Sequence, residues 1–205
     1  MIKVKVCGIT NIEDAQGSLD AGCDGLGFVF FKESRRFITP IRAKSIIVTL
    51  PSKVAKVGVF VDAKEKDIRW TIDTCGLDML QFHGRETPEF CSRFKGYKVI
   101  KAFRIRRKRD VRNCLRYDTY AFLFDTYMRS KAGGTGEKFD WDLVSDFERE
   151  DKVIFLSGGL KASNVVRAIE VVRPDWVDAS SSLESTPGIK DPNKVRSFIE
   201  AAKRA

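Results

Sequence analysis

The chain has 205 residues, 43% of them hydrophobic and 32% charged, which is enough to bury one substantial core as a single domain over 1–205. Its formal net charge of +9 suits the steering of anionic ligands; no nucleic-acid-binding module accompanies the basic run Arg104-Ile105-Arg106-Arg107-Lys108-Arg109, which is expected to be a solvated face rather than a nucleic-acid surface. Five widely spaced cysteines with no C-x-x-C pair and a single histidine argue against a disulfide framework and a zinc site, and no apolar run reaches the roughly 18 residues of a membrane span, so a soluble cytoplasmic protein is expected.

Lys3 to Cys7 alternates polar and apolar residues at the two-residue period of a strand, with Ile2, Val4 and Val6 on one face. Gly8 breaks the strand, leaving Cys7 at its carboxyl end. Thr10 then stands three residues ahead of Glu13, the capping-box spacing that opens a helix over Ile12 to Asp20. In parallel α/β architectures ligands bind at the carboxyl ends of strands, so Cys7 is either a reactive thiol or a small buried hydrophobe.

Cys23 to Phe30 reads as a buried strand, Pro40 opens a helix running to Leu50, Val54 to Val61 is a third strand, and Lys64 to Thr74 is a helix. Leu77 to Phe82 is a fourth strand ending at His83-Gly84, Thr87-Pro88-Glu89 starts another helix, and Tyr97 to Phe103 is a fifth strand containing Lys101, whose face is open. The basic segment continues as a helix to about Leu115. Tyr120 to Phe124 is a sixth strand that delivers Asp125. The long loop from Tyr127 to Lys138 carries Gly133-Gly134-Thr135-Gly136, and loops of that length in compact domains are usually functional. A helix from near Asp140, a strand over Val153 to Leu156, a helix over Ala162 to Val171, a strand from Trp176, and a last helix from Asp191-Pro192 to about Lys203 complete the chain.

Eight strands alternating with helices predict a parallel sheet, and the even eight favours a closed (β/α)8 barrel, the TIM-barrel class of α/β fold. Closure would bring Cys7, Arg36, His83, Asp125, Gly158-Gly159 and Ser180-Ser181 to one mouth. Gly158 and Gly159 after the seventh strand, with Ser180 and Ser181 after the eighth, stand where such barrels bind phosphate. The apolar run Phe122-Leu123-Phe124 sets the Asp125 carboxyl beside a low-dielectric wall, which favours the protonated form an acid needs; an aspartate capping the next turn is the alternative. Arg36 suits a bidentate carboxylate, and His83 is either a substrate contact or a structural hydrogen-bonder.

With KVCGIT at 5–10, SRRFITP at 34–40, QFHG at 81–84, LFDT at 123–126, GGTG at 133–136, LSGGL at 156–160 and VDASS at 177–181, the chain resembles the phosphoribosylanthranilate isomerases over essentially its whole length. The resemblance implies an Amadori rearrangement of a phosphorylated aminoaldose in tryptophan biosynthesis, with neither metal nor cofactor. It implies Cys7 as general base, Asp125 as general acid, Arg36 as partner of the anthranilate carboxylate, and Gly158, Gly159, Ser180 and Ser181 as phosphate ligands. Gly133, Gly134 and Gly136 would belong to a loop closing over the substrate. A thiol with a pKa of about 8.5 needs a modest depression to serve as base, which nearby Arg or Lys charge would supply. Where members of that family usually carry glycine, this chain has Ser182, whose side chain would crowd or bond the phosphate. The partner expected is the small phosphorylated substrate, with no nucleic acid and no membrane, and with monomer and homodimer both open. The rivals are the sister aminoaldose isomerase of histidine biosynthesis, which has aspartate where Cys7 stands, and a phosphate-binding barrel without catalysis.

Overall fold

The computed structural model describes residues 1–126, 141–147 and 151–205. Eight parallel strands close into a barrel in chain order: β1 (Lys3–Cys7), β2 (Gly25–Val29), β3 (Ala55–Phe60), β4 (Met79–Phe82), β5 (Lys98–Ile105), β6 (Ala121–Thr126), β7 (Val153–Ser157) and β8 (Trp176–Ala179). Closure is made by β1 against β8, pairing Lys3 with Trp176 and Lys5 with Asp178. The helices between them are α1 (Ile12–Asp20), α2 (Pro40–Ile47), α3 (Glu65–Cys75), α4 (Pro88–Ser92), α5 (Lys108–Arg112), α6 (Asp142–Ser145), α7 (Val165–Val172) and α8 (Pro192–Arg204). The predicted fold class is the observed one.

Strand parity divides the core. Val4 and Val6 of β1 face outward into the large cluster beneath the helices, while Val57, Met79, Ile100, Ala102, Ala121, Leu123, Phe155 and Trp176 fill the barrel interior toward its amino-terminal end. Phe155 and Trp176 stack there with ring centroids 5.0 Å apart. Lys101, on the alternate face to Ile100 and Ala102, is buried outside the barrel, where it donates to Gly84 O at 2.8 Å and Glu86 Oε2 at 2.7 Å. That anchor secures the segment after β4, since Glu86 also accepts from the backbone N–H groups of Asp62 and Gly84.

Local sequence explains the helix ends. In α8, Asp191 caps by accepting from the N–H groups of Asn193 and Lys194, and Val195, Phe198, Ile199 and Ala202 form the buried stripe expected of a 3.6-residue period. Its last turn is tied to the start of the barrel by Lys203, which donates to Ile2 O and to Asp24 Oδ2. Helix α4 is too short to be stable alone, and Phe90 and Phe94 hold it and its exit onto Phe82 at centroid distances of 5.7 and 5.3 Å.

Three expectations need correction. The cap of α1 is Asn11, whose Oδ1 accepts from Asp14 N at 2.7 Å; the Thr10 hydroxyl is drawn away to donate to Gly188 O at 2.6 Å. The basic stretch is a five-residue helix followed by a 3-10 turn over Asn113–Arg116, because the Asp110 carboxylate caps Arg106 N and Arg107 N and starts α5 late. The connection after β8 holds a 3-10 turn (Ser181–Leu183) and a small antiparallel hairpin, β9 (Glu184–Thr186) with β10 (Ile189–Lys190), which the periodicity did not reveal. The glycine loop with Gly133, Gly134 and Gly136 lies outside the described residues.

Candidate functional site

The residues at the carboxyl end of the barrel arise from strand alternation. Lys5 and Cys7 share the inward face of β1, Gln81 and His83 follow Met79 on that of β4, Asp125 follows Leu123 on β6, and Asp178 and Ser180 follow Trp176 on β8. The mouth therefore has a polar tier resting on an apolar floor.

From Lys5 to Asp125 that tier is a continuous hydrogen-bonded chain. The Lys5 ammonium, wholly buried, is 3.0 Å from Asp178 Oδ1 as an ion pair and donates to Gln81 Oε1 at 2.8 Å. Gln81 Nε2 is 2.9 Å from His83 Nδ1, and His83 Nε2 is 3.0 Å from Asp125 Oδ2. His83 is thus hydrogen-bonded on both nitrogens, and it bridges the fourth and sixth strands. Lys5, Gln81 and Asp178 were not foreseen, because a polar residue within a strand reads as solvent-facing until closure is known.

Cys7 is 8% exposed and lies beside Val29 and Val59. Gly27 makes its position possible: a Cβ there would come within 2.7 Å of Cys7 Sγ and 3.1 Å of Lys5 Cε. Burial pushes the thiol pKa up and the Asp178 carboxylate adds to this, while Lys5 and Lys190 pull it back only in part. The expected depression by neighbouring cations is thus reversed, because desolvation outweighs them. Lys5 itself, pulled down by burial, is carried above the ordinary lysine range by Asp178 and Cys7.

Arg36 forms the bidentate carboxylate pair that its type suggests, but with the chain's own Glu184: Nε donates to Oε1 and Nη2 to Oε2, both at 2.6 Å. Nη1 is the edge this grip leaves over. Lys190 lies on the other side of Glu184 at 3.0 Å and donates to Cys7 O at 2.6 Å and Ser180 O at 3.3 Å, pinning the ends of β1 and β8 together. Burial raises the Glu184 carboxyl, and Arg36 and Lys190 bring it below its ordinary range.

Gly158 and Gly159 form a turn with φ of 89° and 64° after β7, and Ser180 and Ser181 follow β8. The two loops are joined by Ser182, whose hydroxyl donates to Leu160 O. The departure at 182 therefore ties the loops together, and its hydroxyl is spent on that carbonyl. Ser180 Oγ is buried with no partner among the described residues, a polar atom facing Gly8, where a Cβ would come within 3.0 Å of it and 2.6 Å of Arg36 Cδ. Arg104, part of the basic run expected to be a solvated face, is exposed and is the register partner of Asp125 on the strand face of Ala102. Among the described residues no cluster of three or more metal-ligating side chains occurs, and no helix is long and apolar enough to cross a membrane.

Residues 4–201 match the family model of N-(5'-phosphoribosyl)anthranilate (PRA) isomerase. The chain belongs to the PRA isomerase family. These are aldose-ketose isomerases of tryptophan biosynthesis. The PRA isomerase of Pelobacter propionicus is 46% identical over 203 residues, covering 99% of this chain and 96% of its own. The crystal structure of the Thermotoga maritima PRA isomerase matches with a TM-score of 0.93 at 42% identity, covering all of both chains. A PRA isomerase in complex with reduced 1-(o-carboxyphenylamino)-1-deoxyribulose 5-phosphate matches with a TM-score of 0.91 at 39% identity, again over all of both chains.

Proposed function

We propose that this chain converts N-(5'-phosphoribosyl)anthranilate to 1-(2-carboxyphenylamino)-1-deoxyribulose 5-phosphate, with Asp125 as general acid and Cys7 as general base. The observation that carries the assignment is the arrangement at the mouth: an inward thiol on β1 and an inward carboxyl on β6, connected by the Lys5, Gln81 and His83 chain. Asp125, protonated, gives its proton to the ring oxygen as the C1′–O bond breaks, leaving an iminium at C1′. The iminium acidifies C2′–H, and the Cys7 thiolate, the form that the Lys5 ammonium favours, removes that proton to give an enolamine. Proton transfer to C1′ and loss of the enol proton then yield the ketone, so the reaction is balanced without any outside oxidant or reductant.

The remaining groups supply binding. Gly158, Gly159, Ser180 and Ser181 take the phosphate, a reading supported by the unpartnered Ser180 hydroxyl. Arg36, oriented by Glu184, offers Nη1 to the anthranilate carboxylate. We place the reaction in the cytoplasm, where five free thiols stay reduced.

Freshly prepared N-(5'-phosphoribosyl)anthranilate tests the substrate. First-order loss of its fluorescence is expected with the purified protein, and no turnover of the larger aminoaldose of histidine biosynthesis. Turnover of the larger substrate alone would move the chain's activity to that reaction, and turnover of neither, with phosphate-dependent product binding intact, would make it a binding barrel.

A further inference from the structure

Lys5 fixes the orientation of the amide beside it. An ammonium has three donors and no acceptor, so the atom of Gln81 that faces Lys5 Nζ at 2.8 Å is the carbonyl oxygen. The amide nitrogen is thereby turned toward His83, where it lies 2.9 Å from Nδ1. An amide NH2 is again only a donor, so Nδ1 is the bare, accepting nitrogen. The imidazole proton then sits on Nε2 and is donated to Asp125 Oδ2 at 3.0 Å. Each step follows from the one before it, and the first is a lysine buried on the opposite side of the pocket and anchored by Asp178.

We propose that Lys5 and Gln81 form a tautomer lock, two positioning residues that keep the His83 proton on Nε2 so that Asp125 Oδ2 always accepts and Oδ1 carries the proton delivered to substrate. The inference rests on the reading of Asp125 as the acid. A proton on Oδ2 would collide with the Nε2–H, so the carboxylic acid can be protonated only on the other oxygen. With the tautomer reversed, the bare Nε2 would attract the carboxyl proton to Oδ2 and turn the acid away from its target. The polar chain also has a cost that an apolar filling would avoid, since burying an ammonium and a carboxylate requires that every partner be in place. Orientation of a proton is what this arrangement supplies in return.

The chain contains one histidine, so 15N-labelled, untagged protein yields a single set of imidazole resonances. Long-range 1H–15N correlation on the neutral imidazole, at a pH high enough that no imidazolium contributes, is expected to show a protonated Nε2 and a bare Nδ1. Gln81→Glu puts an acceptor in front of Nδ1 and is expected to draw the proton onto it. In the same variant kcat should fall about 10- to 100-fold with little change in KM, the scale on which supporting hydrogen-bond partners act. Gln81→Leu leaves Nδ1 without a partner and should let both tautomers appear. A wild-type spectrum with the proton on Nδ1, or on both nitrogens, overturns the proposal without recourse to any variant. So does a folded Gln81→Glu protein whose Nδ1 stays bare. Undiminished turnover by Asp125→Asn would instead refute the acid assignment, while the spectrum still judged the lock.

Discussion

Cys7 is nearly out of reach of water, and burial works against the thiolate that a base must become. The charges facing it are Lys5 on its own strand, Asp178 on β8, Lys190 on β10 and Arg36 after β2, and among the stabilising ones Lys5 acts most strongly. Lys5→Met removes that stabilisation, so the thiol pKa rises further. The limb of the kcat/KM profile that rises with pH should move to higher pH, and a limb that stays in place would separate Cys7 from the titrating base. Gly27→Ala tests position rather than charge. The new methyl group would press on Cys7 Sγ from 2.7 Å, and a misplacement on the ångström scale costs about 100-fold in turnover, to be read as kcat in a protein whose far-ultraviolet circular dichroism is unchanged. At this scale the sequence was partly legible. Cys7, Asp125 and His83 stood at strand ends, where position alone suggested chemistry, but Lys5, Gln81 and Asp178 sit inside strands, and only barrel closure turns them toward one another.

The hairpin after β8 does for Arg36 what the strands do for Cys7. Glu184 receives Arg36 on one side and Lys190 on the other, and Lys190 in turn holds the carbonyls of Cys7 and Ser180. Glu184→Ala would leave two cations without their carboxylate, one of them buried, and should destabilise the fold by about 3 to 5 kcal/mol in denaturant unfolding. A carboxyl held below its ordinary range stabilises the fold above the unfolded carboxylate pKa and loses that contribution as pH falls through the folded value. Glu184→Gln should therefore be less stable than wild type near neutrality, with the gap narrowing in acid; a gap that stays constant across that range would deny the ion pair its role. The hairpin was illegible in the sequence because its strands of three and two residues are too short for any period to emerge. By contrast, α8 and α1 were readable to within a residue or so at their ends, since Asp191-Pro192 and the Asn11 segment carry cap chemistry of their own.

In the molecule as a whole, the barrel separates what keeps it folded from what is proposed to react. Below the polar tier, Phe155 and Trp176 stack in the apolar floor at the end of the barrel away from the mouth. Phe155→Ala should cost about 3 to 5 kcal/mol of stability yet leave kcat and KM as they are at a temperature where the variant is folded, and a large change in either would tie the floor to the chemistry. The eightfold alternation made this architecture legible from sequence alone, whereas the joining of the loops after β7 and β8 through Ser182 emerges only in the fold, because a hydroxyl's partner 22 residues away leaves no local pattern.

One acid and one base on opposite sides of the mouth are proposed to carry the isomerisation. The decisive measurement is kcat for N-(5'-phosphoribosyl)anthranilate with Cys7→Ala and Asp125→Asn, taken together with the affinity of each variant for the reduced product analogue. Losses of at least about 100-fold in kcat are expected for both variants, the range of general acid and base catalysis, with analogue affinity close to that of the wild type. Turnover within a few-fold of wild type in either variant, at retained affinity, would contradict it.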